Sequence, residues 1–478
     1  MQEDQIHKEQ MGSGKTRVVE ESFRDSVATI DKQGNRKFIY PKKPKGKYYR
    51  LRTITSLIFL AVFIAVPFIK IEGEPMMLFD VLGRKFILFG QIFWPQDFFI
   101  FAVGFLTFIV FIILFTVAFG RLFCGWVCPQ TNFMEMVFRK VEYWIEGDAH
   151  QQVQLVNMPW NSEKIIKRTL KIFAFYGISL FIAHFFLAYL MGIDRLELLM
   201  LEGIAKHRAT FFSLIGFTTV FFFVYYWFRE QACIVVCPYG RLQGVLLDKN
   251  SMVVAYDYKR GEPRGKRKHD EAAAEHGDCI DCHACVRVCP TGIDIRNGTQ
   301  LECINCTACI DACDLIMDQI HKPKGLIRYA SEHDIESGTP TRFTRRMAFY
   351  SVLLLLLVGV LATLLITRDD VDARILRAQG QTYQMLPDGR IENLYNIKLT
   401  NKTRKEVPLQ LKLENVAGEI QMIQTIMVEK ESYFQTSFFI KLDRKEIQKR
   451  KQPIIIGIYQ NGKRIQKRKT TFLSPSIL

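Results

Sequence analysis

The chain has 478 residues, 49% of them hydrophobic, with 64 Lys and Arg against 48 Asp and Glu for a formal net charge of +16. Its 12 cysteines all lie at or before position 313, which argues against the disulfide framework of a small secreted domain and for thiolate chemistry in a reducing compartment. The basic excess lies largely beside apolar segments and carries no aromatic-interleaved motif, so no nucleic-acid partner is expected.

Residues 1–52 read as a polar, solvated leader. Gly12-Ser-Gly-Lys-Thr16 echoes a phosphate-binding loop, but the upstream glycine of that motif falls at Glu9, and no strand is expected before it. The apolar segments Ile54–Ile69, Phe98–Phe119, Leu170–Ile193, Thr210–Phe228 and Met347–Ile366 then approach the ~20 residues that cross a bilayer. The first is short, and Leu51, Arg52 and Lys70 are placed to snorkel at its ends. Phe86–Trp94 is too short to cross and is expected to lie at the interface. His184, inside the third span, is a candidate copper or haem ligand or a neutral histidine bonded within the bundle. Trp126 and Trp227 fit aromatic belts.

Just beyond the second and fourth spans stand two matching C-x3-C-P motifs, Arg121-Leu-Phe-Cys124-Gly-Trp-Val-Cys128-Pro129 and Glu230-Gln-Ala-Cys233-Ile-Val-Val-Cys237-Pro238. On a helix, residues four apart share a face, so each pair would present two sulfurs together before the proline stops or bends the helix. Should the two spans be neighbours, four thiolates meet at one locus suited to Cu(I), zinc or a further iron–sulfur cluster. Arg121 and Arg229 are placed to favour their ionisation. The basic run from Lys259 to Lys268 is expected against anionic headgroups.

Between the fourth and fifth spans, Cys279, Cys282, Cys285 and Cys289 are repeated 24 residues later as Cys303, Cys306, Cys309 and Cys313. Each set has the spacing C-x2-C-x2-C-x3-C, the bacterial pattern for two [4Fe–4S] clusters, in which the fourth cysteine of each set serves the other cluster. Cys279, Cys282, Cys285 and Cys313 are therefore expected to hold one, and Cys303, Cys306, Cys309 and Cys289 the other. Pro290 follows Cys289 as the pattern expects; Asp314 follows Cys313 instead of proline and places a charge by its cluster. His276 and His283 flank the first set as surface residues. After the fifth span, Ile391–Thr400, Val407–Leu413, Ile420–Val428, Tyr433–Lys441 and Pro453–Tyr459 alternate as strands. Pro387-Asp388-Gly389 and Asn461-Gly462 supply turns, and the whole suits an immunoglobulin-like sandwich.

Lys and Arg number 13 in the leader, 6 in 120–168 and 17 in 229–346, against 2 in 71–97 and 3 in 194–209. The positive-inside rule then puts the leader, the middle loop and the cysteine-rich segment in the cytoplasm and the C-terminal domain in the periplasm of a bacterial inner membrane. The expected divisions are a leader at 1–52, a transmembrane region with four helices at 53–260, a ferredoxin-type domain at 261–340, a fifth helix at 347–366 and the β domain at 370–478.

With both C-x3-C-P motifs, the eight-cysteine block and a β domain after the last span, the chain resembles the FixG/CcoG family of polyferredoxin-type accessory proteins for cbb-type cytochrome c oxidase. The NapH/NosR type of membrane ferredoxin shares the paired motifs but is disfavoured by the C-terminal domain. The resemblance implies a cupric reductase that supplies Cu(I) for oxidase assembly. Cys124, Cys128, Cys233 and Cys237 would handle copper, the eight ferredoxin cysteines would supply the electron, and the partners would be a cytoplasmic electron donor and oxidase-assembly factors or copper carriers. Two other classes fit the same residues: a membrane ferredoxin between a quinol pool and a periplasmic reductase, and a non-enzymatic copper-binding assembly scaffold.

Overall fold

The computed structural model describes residues 6–11, 15–20, 28–30, 33–81, 83–203, 205–265, 277–339, 343–378, 380 and 382–475. His276, positions 266–268 of the basic run and Gly12 to Gly14 lie outside the described residues. A strand, Ile6–Met11, does precede the glycine stretch, and pairs antiparallel with Lys15–Glu20. The lysine thus opens a second strand rather than the helix a phosphate loop needs.

Five helices are long and apolar enough to cross a membrane: Lys47–Phe68, Phe98–Phe119, Ser162–Met191, Arg208–Phe228 and Arg345–Ile366. At ~1.5 Å per residue each exceeds or meets the ~30 Å of hydrocarbon. The first starts earlier than its apolar content alone suggests, because the Asp311 carboxylate accepts hydrogen bonds from the free amides of Tyr48 (3.1 Å) and Tyr49 (2.7 Å). That is an N-cap supplied from another element. Arg52 does not snorkel. It is buried, and its Nε donates to the Gly125 carbonyl at 3.0 Å. Aromatic packing closes the bundle, with Phe138 stacked on Tyr225 at 4.5 Å and Phe133, Phe175 and Ile182 beside them. Exposed side chains such as Phe99, Phe173 and Leu355 face outward, as lipid-facing positions do. His184 uses Nδ1 on the Leu180 carbonyl of its own helix, at 2.8 Å.

The chain divides into two compact units, Met1–Met76 with Ala102–Val360, and Met77–Phe101 with Leu361–Leu478. In the first, Val253–Tyr256 pairs antiparallel with Ile327–Ala330 and closes the cysteine-rich module around helices Ala284–Arg287 and Ala308–Gln319. In the second, one sheet runs Val371–Arg377, Ile391–Asn401, Tyr433–Leu442, Gly418–Met422, and another runs Gln410–Leu413, Lys451–Gln460, Lys463–Leu473. Alternate residues Tyr395, Ile397, Leu399, Phe438, Ile440, Leu442, Ile454, Ile456 and Ile458 are fully buried between them, the period of a sandwich interior. The turn at Asn461-Gly462 has positive φ at both residues (49° and 79°) and joins Gln460 to Lys463, as a two-residue hairpin requires.

Phe86–Trp94 takes a definite form here: Met77–Asp80, Lys85–Leu88 and Gln91–Phe93 make a three-stranded sheet in which Ile87 and Ile92 are buried. Asp97, at its end, pairs with Arg368 at 2.6 Å and Lys402 at 2.5 Å, all three side chains nearly inaccessible. Lys85 pairs with Glu431, and Arg404 donates to the Gly90 carbonyl. A short apolar run flanked by charge satisfies its backbone by pairing with itself and lets the charges find the β domain.

Asp97→Ala should remove about 3–5 kcal/mol, the expected loss when one member of a buried ion group is deleted. The readout is faster hydrogen exchange and proteolysis across 77–97. Burial alone would raise the Asp97 carboxyl, but its hydrogen bonds and attraction to Lys402 and Arg368 hold it below the ordinary 3.8. Its contribution is therefore complete above that value and is lost as pH falls through the lower folded one. Acid should reproduce the variant's exchange pattern.

Candidate redox site and membrane-edge thiols

The two ferredoxin-type loops have like backbones. Asp281 and His283 adopt left-handed φ values of 54° and 53°, and 24 residues on Asn305 and Thr307 adopt 52° and 65°. Asp, His and Asn tolerate this region; a β-branched Thr does so only where its surroundings compel it. Such alternation turns successive amides into a concavity that favours anionic groups. Two adjoining cavities result, with Cys285 in the lining of both. One is lined by Cys279, Cys282, Cys285 and Cys313, the other by Cys289, Cys303, Cys306 and Cys309 with Cys285 at its edge. Apolar walls surround the sulfurs, Met317, Leu326 and Ile327 on one side and Val254, Ile293 and Ile304 on the other. Eight thiols, apolar walls and amide-lined turns form a donor set that fits two iron–sulfur clusters.

The C-x3-C-P motifs differ from the sequence expectation. Neither is one continuous helix with a shared face. Cys124 sits in the short helix Leu122–Trp126 and Cys233 in the turn Ala232–Val236. Cys128 and Cys237 have extended ψ values of 125° and 110° and open new helices at Pro129 and Pro238. Proline begins a helix here rather than ending one, since its missing N–H is not needed at a first position. Both motifs use the same wide turn: Cys128 N–H donates to the Phe123 carbonyl and Cys237 N–H to that of Ala232, each at 2.9 Å. Cys124 and Cys233 N–H donate three residues back to Arg121 and Glu230, each at 3.1 Å.

The four thiols are electrostatically coupled. Burial, then proximity of Cys128 and Cys237, raises Cys124 to about 11, with Arg121 opposing. Burial, then Cys128, Cys124 and Cys237, raises Cys233 to about 12. Loss of hydration outweighs the favourable cation. Arg229 is not available to help: it pairs with Glu142 at 3.1 Å, and Lys171 pairs with Glu142 at 2.5 Å and Glu146 at 2.9 Å. In this buried network desolvation would raise Glu142, but Arg229, Lys171 and Arg139 hold it near 2. Among the described residues, no three His, Cys, Asp or Glu side chains close into a single-ion site.

The membrane-edge thiols and the second cavity are in contact. Cys124 packs with Val288, Ile304, Cys306 and Ala308. A Cβ on Gly125 would stand 2.5 Å from the Ile304 carbonyl oxygen and 2.7 Å from that of Asn305, so only glycine allows this approach. Arg121 donates to the Leu301 carbonyl, and Trp126 Nε1 donates to the Tyr329 hydroxyl at 3.1 Å. Trp126 thus joins the first motif to the module. Sequence reasoning missed Gln243, Asp311 and Tyr329, which carry no motif, and took Arg52 for a snorkelling end residue.

A family model described as a 4Fe-4S dicluster domain matches residues 228–332, one described as a 4Fe-4S binding domain matches 101–147, and one described as the IG-like fold at the C-terminal of FixG matches 361–475. Protein RdxA of Cereibacter sphaeroides is 36% identical over 395 residues, covering 80% of this chain and 83% of that protein. The nitrogen fixation protein FixG of Rhizobium meliloti is 34% identical over 422 residues, covering 80% of each. A crystal structure of a FixG-related protein from Vibrio parahaemolyticus is 23% identical and covers 22% of this chain and 96% of that one, at a TM-score of 0.19 too low to bear on the fold.

Gly125→Ala should leave iron content intact while forcing the 304–305 backbone away, because neither contacting atom is a side chain that can yield. Reoxidation of the reduced protein by an acceptor bound at the membrane-edge thiols should then slow by about tenfold or more, measured by stopped-flow bleaching against the wild type.

Proposed function

The chain belongs to the FixG family of membrane iron–sulfur proteins of the oxidoreductase type, and from that premise we propose that it reduces Cu(II) to Cu(I) for maturation of a cbb-type cytochrome c oxidase. In this reading the ferredoxin module faces the cytoplasm and the immunoglobulin-like domain the periplasm. Cys279, Cys282, Cys285 and Cys313 hold one [4Fe–4S] cluster and Cys289, Cys303, Cys306 and Cys309 the other, and when bound these supply one-electron reduction. Cys124, Cys128, Cys233 and Cys237 receive the copper. The observation that carries the reading is the packing of Cys124 and Gly125 on the 304–306 loop, which sets the thiols against the cavity of the second cluster. The cavity lined by Cys279 and Cys282 is then the entry side, reached by a cytoplasmic donor.

The protein's own groups do the rest. Thiolates are soft donors that favour Cu(I) over Cu(II), so ligation itself drives the reduction, and Cu(I) is satisfied by as few as two of them. With the Cys124 and Cys233 thiols raised, a Cu–S bond to either releases a proton, which ties uptake to pH. Arg121, beside Cys124, offsets the charge that accumulates.

Electron carriage without copper is the rival reading, favoured by the 4Fe-4S binding-domain match over 101–147, whose cysteines are Cys124 and Cys128. Anaerobic protein with about eight irons, reduced and mixed with Cu(II) and a Cu(I) chelator, should reoxidise one electron for each Cu(I) formed. Cys124→Ser/Cys233→Ser should keep the iron and lose the reaction by about tenfold or more. About twelve irons in the wild type, about four of them lost in that variant, with no copper reduction by the wild type, would establish the rival instead.

A further inference from the structure

Gln243 is fully buried on the helix Pro238–Leu246 that follows the second C-x3-C-P motif. Its carboxamide reaches across to the first. The Cys124 thiol donates to Gln243 Oε1 at 2.9 Å, and Gln243 Nε2 donates to the Thr116 hydroxyl at 3.3 Å. Thr116 is itself fully buried, at the inner end of the second span. A buried primary amide bridging the two halves of the thiol locus is more than filler, because burial without partners would cost it about 1–3 kcal/mol per polar group.

We propose that Gln243 is the positioning residue of the membrane-edge thiol site, accepting from Cys124 in the metal-free state and donating to its thiolate when Cu(I) is bound. The proposal rests on the copper reading of those thiols and adds to it a residue outside both motifs. The hydrogen-bond inventory carries the argument. As a Cu–S bond forms at Cys124 its proton leaves to solvent, and the sulfur changes from donor to acceptor. A carboxamide meets either state by turning about its last bond, presenting N–H in place of C=O. Thr116 meets the turned amide equally well, since a hydroxyl both donates and accepts. No bond is lost in either state. Cys124 also faces Arg121 and Cys128 on its own segment, Cys233, Cys237 and Tyr239 from the second motif, and Cys306 and Cys309 from the ferredoxin loop. Arg121 also bonds the Cys124 sulfur from its own segment; Gln243, 2.9 Å away, is the partner supplied by the helix that follows the second motif.

The test uses the full-length, cluster-loaded protein in detergent, with Cu(I) titrated against a colorimetric chelator. Gln243→Leu removes both hydrogen bonds; Gln243→Glu keeps an acceptor for the thiol and loses the donor for the thiolate. Both should weaken Cu(I) binding by about 10–100-fold, as loss of an outer partner of a metal ligand does, while iron content stays at the wild-type value. In copper-free protein the S–H stretching band that Cys124→Ser deletes should shift to higher frequency in Gln243→Leu and remain near its wild-type place in Gln243→Glu. Wild-type Cu(I) affinity in both variants, or an unmoved band in Gln243→Leu, overturns the proposal. Where the Gln243 variants lose iron, Thr116→Val replaces them: a several-fold weaker Cu(I) affinity upholds the bridge, and an unchanged one overturns it. A wild-type protein that binds no Cu(I) defeats the copper reading separately, and with it the loaded-state half of this one.

Discussion

The arrangement depends on one carboxylate. Asp311 lies between Cys309 and Cys313, inside the helix of the second cysteine set, yet it accepts the first free amides of the opening transmembrane helix. A helix end buried against protein needs such partners, because its leading N–H groups have none of their own. The ferredoxin module is thereby part of the bundle rather than a domain tethered to it. Arg52, one turn further along the same helix, holds the Gly125 carbonyl, and Tyr329 accepts from Trp126. The opening helix and Leu122–Trp126 on one side, and the helix Ala308–Gln319 and the strand Ile327–Ala330 on the other, are joined by these hydrogen bonds. They, and not a linker, hold the module to the bundle.

Burial and charge oppose each other around the thiols, and burial prevails. Arg121 lies near Cys124, yet that thiol is raised, because little water remains to stabilise its anion. The other cation that the sequence places nearby, Arg229, is committed to Glu142 and Glu230. That network joins the helix after the first motif, the third span and the start of the second motif. Cys124 and Cys233 are thereby held as thiols, which resist oxidation better than thiolates, the reactive form.

What could be read beforehand follows from how each signal is written. The eight ferredoxin cysteines are a local, doubled spacing, and apolar runs of about twenty residues are a local average, so both were legible. So were the strands at Ile391–Thr400, Tyr433–Lys441 and Pro453–Tyr459, whereas Val407–Leu413 and Ile420–Val428 each divide into two strands that pair in different sheets. Val371–Arg377 escaped notice because it begins immediately after the fifth span with charged Asp372 and Arg374 on its outer face. The C-x3-C-P motifs were legible as ligands but not as geometry. Four-residue spacing suggests one helical face, whereas the proline sets a new helix start and the preceding turn widens to accommodate it. Asp311, Arg52 and Gln243 each act through a contact more than seventy residues away in sequence, and a single polar side chain leaves no periodic trace of such a partner.

The two widened turns match bond for bond, from the carbonyl three residues behind the first cysteine to the one five residues behind the second. The two halves therefore hold their sulfurs by one backbone device used twice, and what distinguishes them is what each meets: an arginine and a glycine against the neighbouring loop in the first, a glutamine that reaches back in the second.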